Sequence, residues 1–189
     1  MLSMEQIQAN KMKYIELINK LGIDPAPLLK YLEVVDYFNM PYAIQGLYSY
    51  AGGLCEYALN LYYEMSQLTP AYTTVYTEED VIKVALFKDI YRAELYEAGT
   101  KRALDETTGI WQTISIFKYK EERPTFGDLY FSSYMVAKYF ITFTDAQIEA
   151  IVQACSKESY AGDIHDIRKS YPLVTLTLMG HLAAMYLQQ

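Results

Sequence analysis

The chain has 189 residues, 52% of them apolar, which suits one folded domain with a hydrophobic core and argues against a disordered chain. Its 16 basic and 23 acidic residues leave a net charge of -7. An acidic protein of this kind is not expected to bind DNA or RNA non-specifically, because such binding depends on neutralising phosphates. A local basic pocket for one nucleotide remains compatible with this charge.

The two cysteines, Cys55 and Cys155, lack any metal-binding spacing and are expected to be buried, reduced thiols. The first 20 residues contain no apolar segment of the signal-peptide type. No apolar run approaches the ~20 residues that cross a bilayer. We therefore expect a cytoplasmic protein without a membrane partner. The 20 tyrosines suit both core filling and a base-stacking pocket, since tyrosine combines a flat apolar face with a polar tip.

Apolar residues at helical spacing, interrupted by capping residues, glycine and proline, predict a mainly α-helical chain. The N-terminal helix, within 1–21, begins with the capping-box pair Ser3 and Gln6 and stops before Gly22. Further helices are predicted at 27–37, 54–67, 79–97, 128–140, 144–156 and 172–187. A loop is expected at 42–51, and a polar loop with a short helix at 157–170.

The segment 101–119 differs from the rest of the chain. It combines a turn-forming stretch, Asp105 to Gly109, with the β-branched and aromatic run that begins at Trp111. This pattern predicts a β-hairpin inserted between helices. No internal repeat, low-complexity segment or linker interrupts the sequence, so we expect a single domain covering 1–189.

Several short motifs occur in a fixed order. They are GGLCEYALN at 52–60, VALFKDI at 84–90, DETTGIW at 105–111, GDLYFSSY at 127–134, FTD at 143–145 and YPL at 171–173. In this order they resemble the motifs GGLxEHSLN, VALLHDI, DExGxW, GHGEKSVY, LTD and YPL of the HD-domain hydrolases. These are helical, metal-dependent phosphohydrolases, and the resemblance is to the small versions of phages and bacteria. It covers the chain from Gly22 onward and implies an HD-domain-like helical bundle with a small inserted β-hairpin.

The resemblance also implies that the metal site is lost. The family binds one or two divalent metals that activate water and polarise a phosphoryl group. By the resemblance, the expected histidines fall on Leu47, Tyr57, Lys88, Asp128 and Ala154, and the last aspartate falls on Ala184. Apolar side chains cannot bind a metal, and the remaining Asp89 and Asp128 are too few for a tight site. We therefore expect no metal, no cofactor and no catalytic residue.

In place of the metals, the sequence offers fixed positive charge. Lys88 and Arg92 lie four residues apart on the predicted helix and so share a face, and Asp89 can hold the ammonium of Lys88. Such a cluster binds phosphate without activating water. The candidate ligand-binding residues are Tyr57, Lys88, Asp89, Arg92, Lys118, Tyr119, Arg123, Asp128, Tyr130 and His181.

Alternatives stay open for several of these residues. Lys118, Tyr119 and Arg123 suit a basic, aromatic pocket rim or an ordinary solvated hairpin edge. Tyr57 and Tyr130 stack on a base or fill the space of the missing ligands. His181 either faces the former metal cavity or is a core histidine. The pair at 165–166, histidine then aspartate, is interpreted as a solvated loop pair.

Three functions follow from this interpretation. The first is a pseudoenzyme that binds a nucleotide or nucleotide-derived signal in the former active site. As the resemblance implies, this would be a phage-type viral protein that sequesters host immune signals in the host cytoplasm. The second is an interaction module that binds a protein partner or forms a homo-oligomer. The third is a residual phosphohydrolase that uses Asp89, Asp128, Asp163, His165 or His181.

Overall fold

The computed structural model describes residues 2–71, 76–122, 129–153 and 172–186. The helices are α1 Met4–Asn19, α2 Ala26–Val34, α3 Gly53–Leu68, α4 Glu78–Phe87, α5 Arg92–Leu95, α6 Leu129–Ala137, α7 Asp145–Gln153 and α8 Pro172–Tyr186. Two short 3₁₀ turns, Tyr37–Asn39 and Thr69–Ala71, accompany them. Strands β1 Tyr96–Leu104 and β2 Trp111–Tyr119 form an antiparallel pair. The predicted mainly α-helical class with one small hairpin is thus confirmed.

Local capping determines where several helices begin. The backbone N–H of Gln6 donates to Ser3 Oγ at 3.2 Å, and the Ser3 N–H donates to Gln6 Oε1 at 2.7 Å. Thr77 and Asp80 make the same reciprocal pair at the start of α4. Each pair satisfies two backbone donors that the first turn of a helix leaves without partners. These starting points depend on neighbours three residues apart, which is why the sequence pattern locates them.

Helix α3 lies at the centre of the helical body and packs against α1, α4 and α8. Helix α7 packs against α8, α6 and α4. Gly180 permits the close approach of α8 to α3, since a Cβ atom at this position would lie 2.6 Å from Met65 Cγ. The fully buried side chains Tyr57 and Leu61 place the middle of α3 in the hydrophobic core.

The prediction of one helix over 79–97 is wrong in its second half. Helix α4 ends at Phe87, turns cover 88–91, and only the short α5 separates them from β1. The strand begins at Tyr96, which pairs with Tyr119, and Gly99 lies opposite Ile116 within it. At residues 96 and 97, where the strand overlaps the predicted helix, cross-strand pairing with β2 overrides the local helical pattern, as tertiary pairing often does.

The hairpin is anchored at one end and exposed at the other. At its base, Tyr96 is buried, and Phe117 packs against the core. In the connecting turn, Asp105 Oδ1 accepts the N–H groups of the residues two and three positions later, at 2.9 and 3.1 Å. At the far end the side chains of Leu104, Ile110 and Trp111 are exposed.

Some predictions lie outside the described residues. They concern Arg123, Asp128, Ala154, Cys155, Asp163 and the pair at 165–166, together with the loop at 157–170. Within the described ranges, no helix has both the length and the apolar character needed to cross a membrane.

Candidate functional site

A buried carboxylate shared by two cations forms the centre of the candidate site. Lys88 Nζ lies 2.5 Å from Asp89 Oδ2, and Arg92 Nε lies 2.6 Å from Asp89 Oδ1. The side chain of Lys88 is fully buried, that of Asp89 is 3% exposed and that of Arg92 is 12% exposed. These three residues are called the charged cluster below. The prediction that Lys88 and Arg92 share one continuous helix is wrong, because α4 ends before Lys88. The intervening turn nevertheless brings both side chains to Asp89.

The loop between Met40 and Gly52 holds the guanidinium of Arg92. The guanidinium carbon lies 4.0 Å from the ring centroid of Tyr42. One terminal nitrogen donates to the Tyr42 carbonyl at 3.2 Å, and the other donates to the Tyr42 hydroxyl at 3.2 Å. The Tyr96 hydroxyl also donates to the Tyr42 carbonyl, at 3.3 Å. Tyr42 is therefore a component of the site that the sequence motifs did not indicate, because 50 residues separate it from Arg92.

Two aromatic rings lie near the ammonium of Lys88. Its nitrogen lies 4.8 Å from the centroid of Tyr130 and 5.5 Å from that of Tyr57. The rings of Tyr57 and Tyr42 are in turn 4.1 Å apart. The negative face of an aromatic ring stabilises a nearby cation, and more strongly where water is excluded. The structure thus brings together the predicted residues Tyr57 and Tyr130 with the charged cluster.

His181 on α8 joins the cluster through Tyr57. The Tyr57 hydroxyl and His181 Nδ1 are 2.6 Å apart, and the two rings meet edge to face with centroids 5.8 Å apart. Burial, together with the nearby positive charge of Lys88, lowers the pKa of His181 to about 4. The imidazole is therefore neutral at pH 7. The contact with Tyr57 fits both predictions for His181, the position facing the former metal cavity and the core histidine with a hydrogen bond.

The charges of the cluster stabilise one another. Burial by itself would raise the pKa of Asp89, but the charges of Lys88 and Arg92 outweigh this effect and lower it to about 2. For Arg92, burial opposes the charged form, yet the neighbouring Tyr42 and Asp89 hold its pKa well above the usual value. Asp89 and Arg92 are therefore both ionised at pH 7, and a rigid set of charges is buried in the fold.

The predicted hairpin residues lie at a distance from this centre. Lys118 is 51% exposed and pairs with Glu97 at 2.8 Å. Tyr119 is 45% exposed, and its ring lies 5.3 Å from that of Tyr96. Tyr96 is thus the link between Tyr119 and the Tyr42 side of the cluster. Arg123 and Asp128 fall outside the described residues.

The described residues are not arranged to bind a metal ion at the charged cluster. Both oxygens of Asp89 accept hydrogen bonds from cations, and a divalent ion there would meet the repulsion of an ammonium and a guanidinium. Within the part of the chain that the structure describes, no group of three or more His, Cys, Asp or Glu side chains is placed to hold a metal ion.

Comparison with known proteins identifies no relative of this chain. No protein-family model, no curated protein and no solved structure matches the chain. The resemblance to HD-domain hydrolases therefore remains a prediction from short motifs, and the arguments about function rest on the geometry of the charged cluster.

Proposed function

We propose that this chain is a non-catalytic, HD-domain-like protein that binds an anionic ligand of the nucleotide type at the Arg92 edge of the charged cluster. The observation that carries the proposal is the sharing of Asp89 by Lys88 and Arg92, at 2.5 and 2.6 Å. Asp89 is the one acidic residue of the HD-like motif that the sequence retains, and both of its oxygens already bind cations.

The state of that carboxylate supports a non-catalytic function. A phosphohydrolase of the metal-dependent type needs open coordination positions at which a metal activates water. Asp89 has a pKa of about 2, because the charges of Lys88 and Arg92 outweigh the effect of burial. It is thus neither a general base near neutral pH nor free of competing cations.

Ligand entry is most favourable at Arg92. Lys88 is fully buried in its ion pair with Asp89 and is not accessible to a ligand, whereas Arg92 retains 12% exposure. A planar guanidinium suits the paired oxygens of a phosphate. Tyr130, which lies beside Lys88 and is only partly buried, is the aromatic side chain of the site that is suited to contact a base.

Isothermal titration tests the proposal. The titrants are mononucleotides, cyclic dinucleotides and ADP-ribose, and at least one is expected to bind with a Kd below about 1 mM. Replacing Arg92→Gln should weaken that binding by about 10-fold or more, the effect of losing a hydrogen bond to a charged group. Arg102→Gln removes the same charge from the exposed hairpin and should leave the affinity unchanged. Failure of the whole panel to bind would refute the proposal.

Sequestration and hydrolysis differ in what happens to the ligand. A sequestering protein returns the bound nucleotide intact, so chromatography of the denatured complex should recover unmodified ligand. The residual-phosphohydrolase alternative instead predicts turnover that EDTA abolishes. It also predicts stoichiometric manganese, iron or nickel in protein purified without chelator. Either result would replace the binding function by catalysis.

The second candidate function, an interaction module, is favoured by the exposed end of the hairpin. Leu104 and Trp111 are cross-strand partners there, exposed by 47% and 59%, beside Ile110 at 65%. Exposed apolar side chains of this size often mark protein contacts. Native mass spectrometry of the wild type and of Trp111→Ser tests self-association: a dimer that Trp111→Ser dissociates would support this function.

A further inference from the structure

A separate groove lies between the loop after Met40, helix α3 and the C-terminal end of α8. Its volume is about 370 Å³, and its lining includes Tyr48, Tyr50, Glu56, Asn60 and Ala184. A second cavity of about 410 Å³, between α1 and α3, shares Glu56 and Asn60 with it. The first of these cavities is called the Glu56 groove.

Hydrogen-bond acceptors face this space from one side of α3. Glu56 and Asn60 lie one helical turn apart. The Tyr50 hydroxyl donates to Glu56 Oε2 at 2.6 Å, and Asn60 Nδ2 donates to the Tyr48 hydroxyl at 3.1 Å. Within the described ranges, Glu56 Oε1 and Asn60 Oδ1 accept no hydrogen bond. The Glu56 groove thus offers a carboxylate charge and two acceptors to an incoming donor.

Two aromatic rings form the adjoining wall. The ring centroids of Tyr48 and Tyr50 are 6.3 Å apart, and their planes are inclined at 44°. Burial, with the carboxylate of Glu56 nearby, raises the pKa of Tyr50, so its hydroxyl stays protonated. Aromatic faces next to a carboxylate are the side chains with which proteins recognise ammonium groups.

The wall is already held in place by the fold. Tyr48 adopts a left-handed conformation with φ of 57°, which a bulky residue keeps only when its surroundings enforce it. Its carbonyl accepts the Tyr42 N–H at 3.0 Å, and its hydroxyl donates to the Ala184 carbonyl at 2.6 Å. A pre-organised site of this kind loses little conformational entropy when a ligand binds.

We propose that the Glu56 groove binds an alkylammonium group that carries N–H donors, with the cation against Tyr48 and Tyr50 and its donors on Glu56 and Asn60. The net charge of -7 also attracts cations to the protein. The Glu56 groove binds a cation, whereas the charged cluster is proposed to bind an anion. The two proposals can therefore be tested independently. The groove's volume of about 370 Å³ leaves room for a short alkyl chain.

The experiment compares matched probes by calorimetry and by NMR of the Tyr50 and Glu56 backbone amides. Butylammonium is expected to bind at least about 10-fold more tightly than neutral 1-butanol, because cation–π and charge-assisted contacts are lost with the charge. Tetramethylammonium, which has no N–H donor, should bind between the two. Equal binding of butylammonium and 1-butanol would overturn the proposal.

Variants locate the site on the protein. Glu56→Gln should weaken butylammonium binding by about 5-fold or more, the effect of losing a charge-assisted hydrogen bond, whereas Glu106→Gln, in the hairpin turn, should not. Tyr50→Ala changes the loop before α3 instead of the helix itself. It should also weaken butylammonium binding, and it serves as the test if Glu56→Gln folds poorly. If neither Glu56→Gln nor Tyr50→Ala weakens binding in the folded protein, the assignment is wrong. A further titration uses Nα-acetyl-lysine amide, which mimics a lysine side chain in a peptide. Tighter binding of this probe than of butylammonium would indicate a peptide lysine as the ligand, and weaker binding would indicate a free amine.

Discussion

Replacing Asp89→Asn tests whether the charged cluster has the arrangement described. The substitution keeps the size of the side chain but removes the negative charge that Lys88 and Arg92 share at 2.5 and 2.6 Å. Removing one partner of a buried ion pair costs about 3–5 kcal/mol, because the remaining charge stays away from water. For a protein of this size the melting temperature should fall by about 6–20 °C.

The pH dependence of this loss follows from the pKa of Asp89. The folded pKa of about 2 lies below the value of about 3.9 for an unfolded chain. The stabilisation by the carboxylate is therefore complete above about pH 4 and is lost as the pH falls toward 2. Over that interval the wild type should lose roughly 2 kcal/mol relative to Asp89→Asn, since the variant has no carboxylate to protonate.

Urea denaturation at several pH values, followed by circular dichroism, measures both effects. Glu106→Gln serves as the control, because it removes one acidic charge from an exposed turn and should change the free energy of unfolding by less than about 0.5 kcal/mol. If Asp89→Asn unfolds within about 1 kcal/mol of the wild type at pH 7, the carboxylate is not the shared partner of two buried cations. A gap that stays constant between pH 5 and pH 2 would contradict the low pKa.

Three further outcomes are expected. Gly53→Ala should destabilise the protein by about 2 kcal/mol or more, measured by urea denaturation, because the new Cβ would lie 2.1 Å from the Tyr48 carbonyl oxygen. NMR titration should show His181 protonating near pH 4; its folded pKa lies below the unfolded value of about 6.5, so it contributes stability above that pH and loses it as the pH falls to about 4. Trp111→Ser should shift the melting temperature by less than about 2 °C, since Trp111 is 59% exposed.

The sequence alone determined features that depend on near neighbours. The capping pairs at Ser3 and Thr77 locate the starts of two helices, because a side chain and a backbone N–H three residues apart satisfy each other. The hairpin follows from its turn residues and its β-branched run. The meeting of Lys88, Asp89 and Arg92 was also predictable, since all three lie within five consecutive positions.

Only the tertiary structure decided what surrounds that trio. Tyr42 contacts Arg92 across 50 residues, and Tyr57 meets His181 across 124. No local pattern encodes such contacts, because they depend on how the loop after Met40 and helix α8 pack against α3. The start of β1 at Tyr96 has the same origin, since pairing with β2 replaces helical hydrogen bonds at the end of the predicted helix. Packing likewise buries Lys88 completely, so that its ammonium and the Asp89 carboxylate meet away from water.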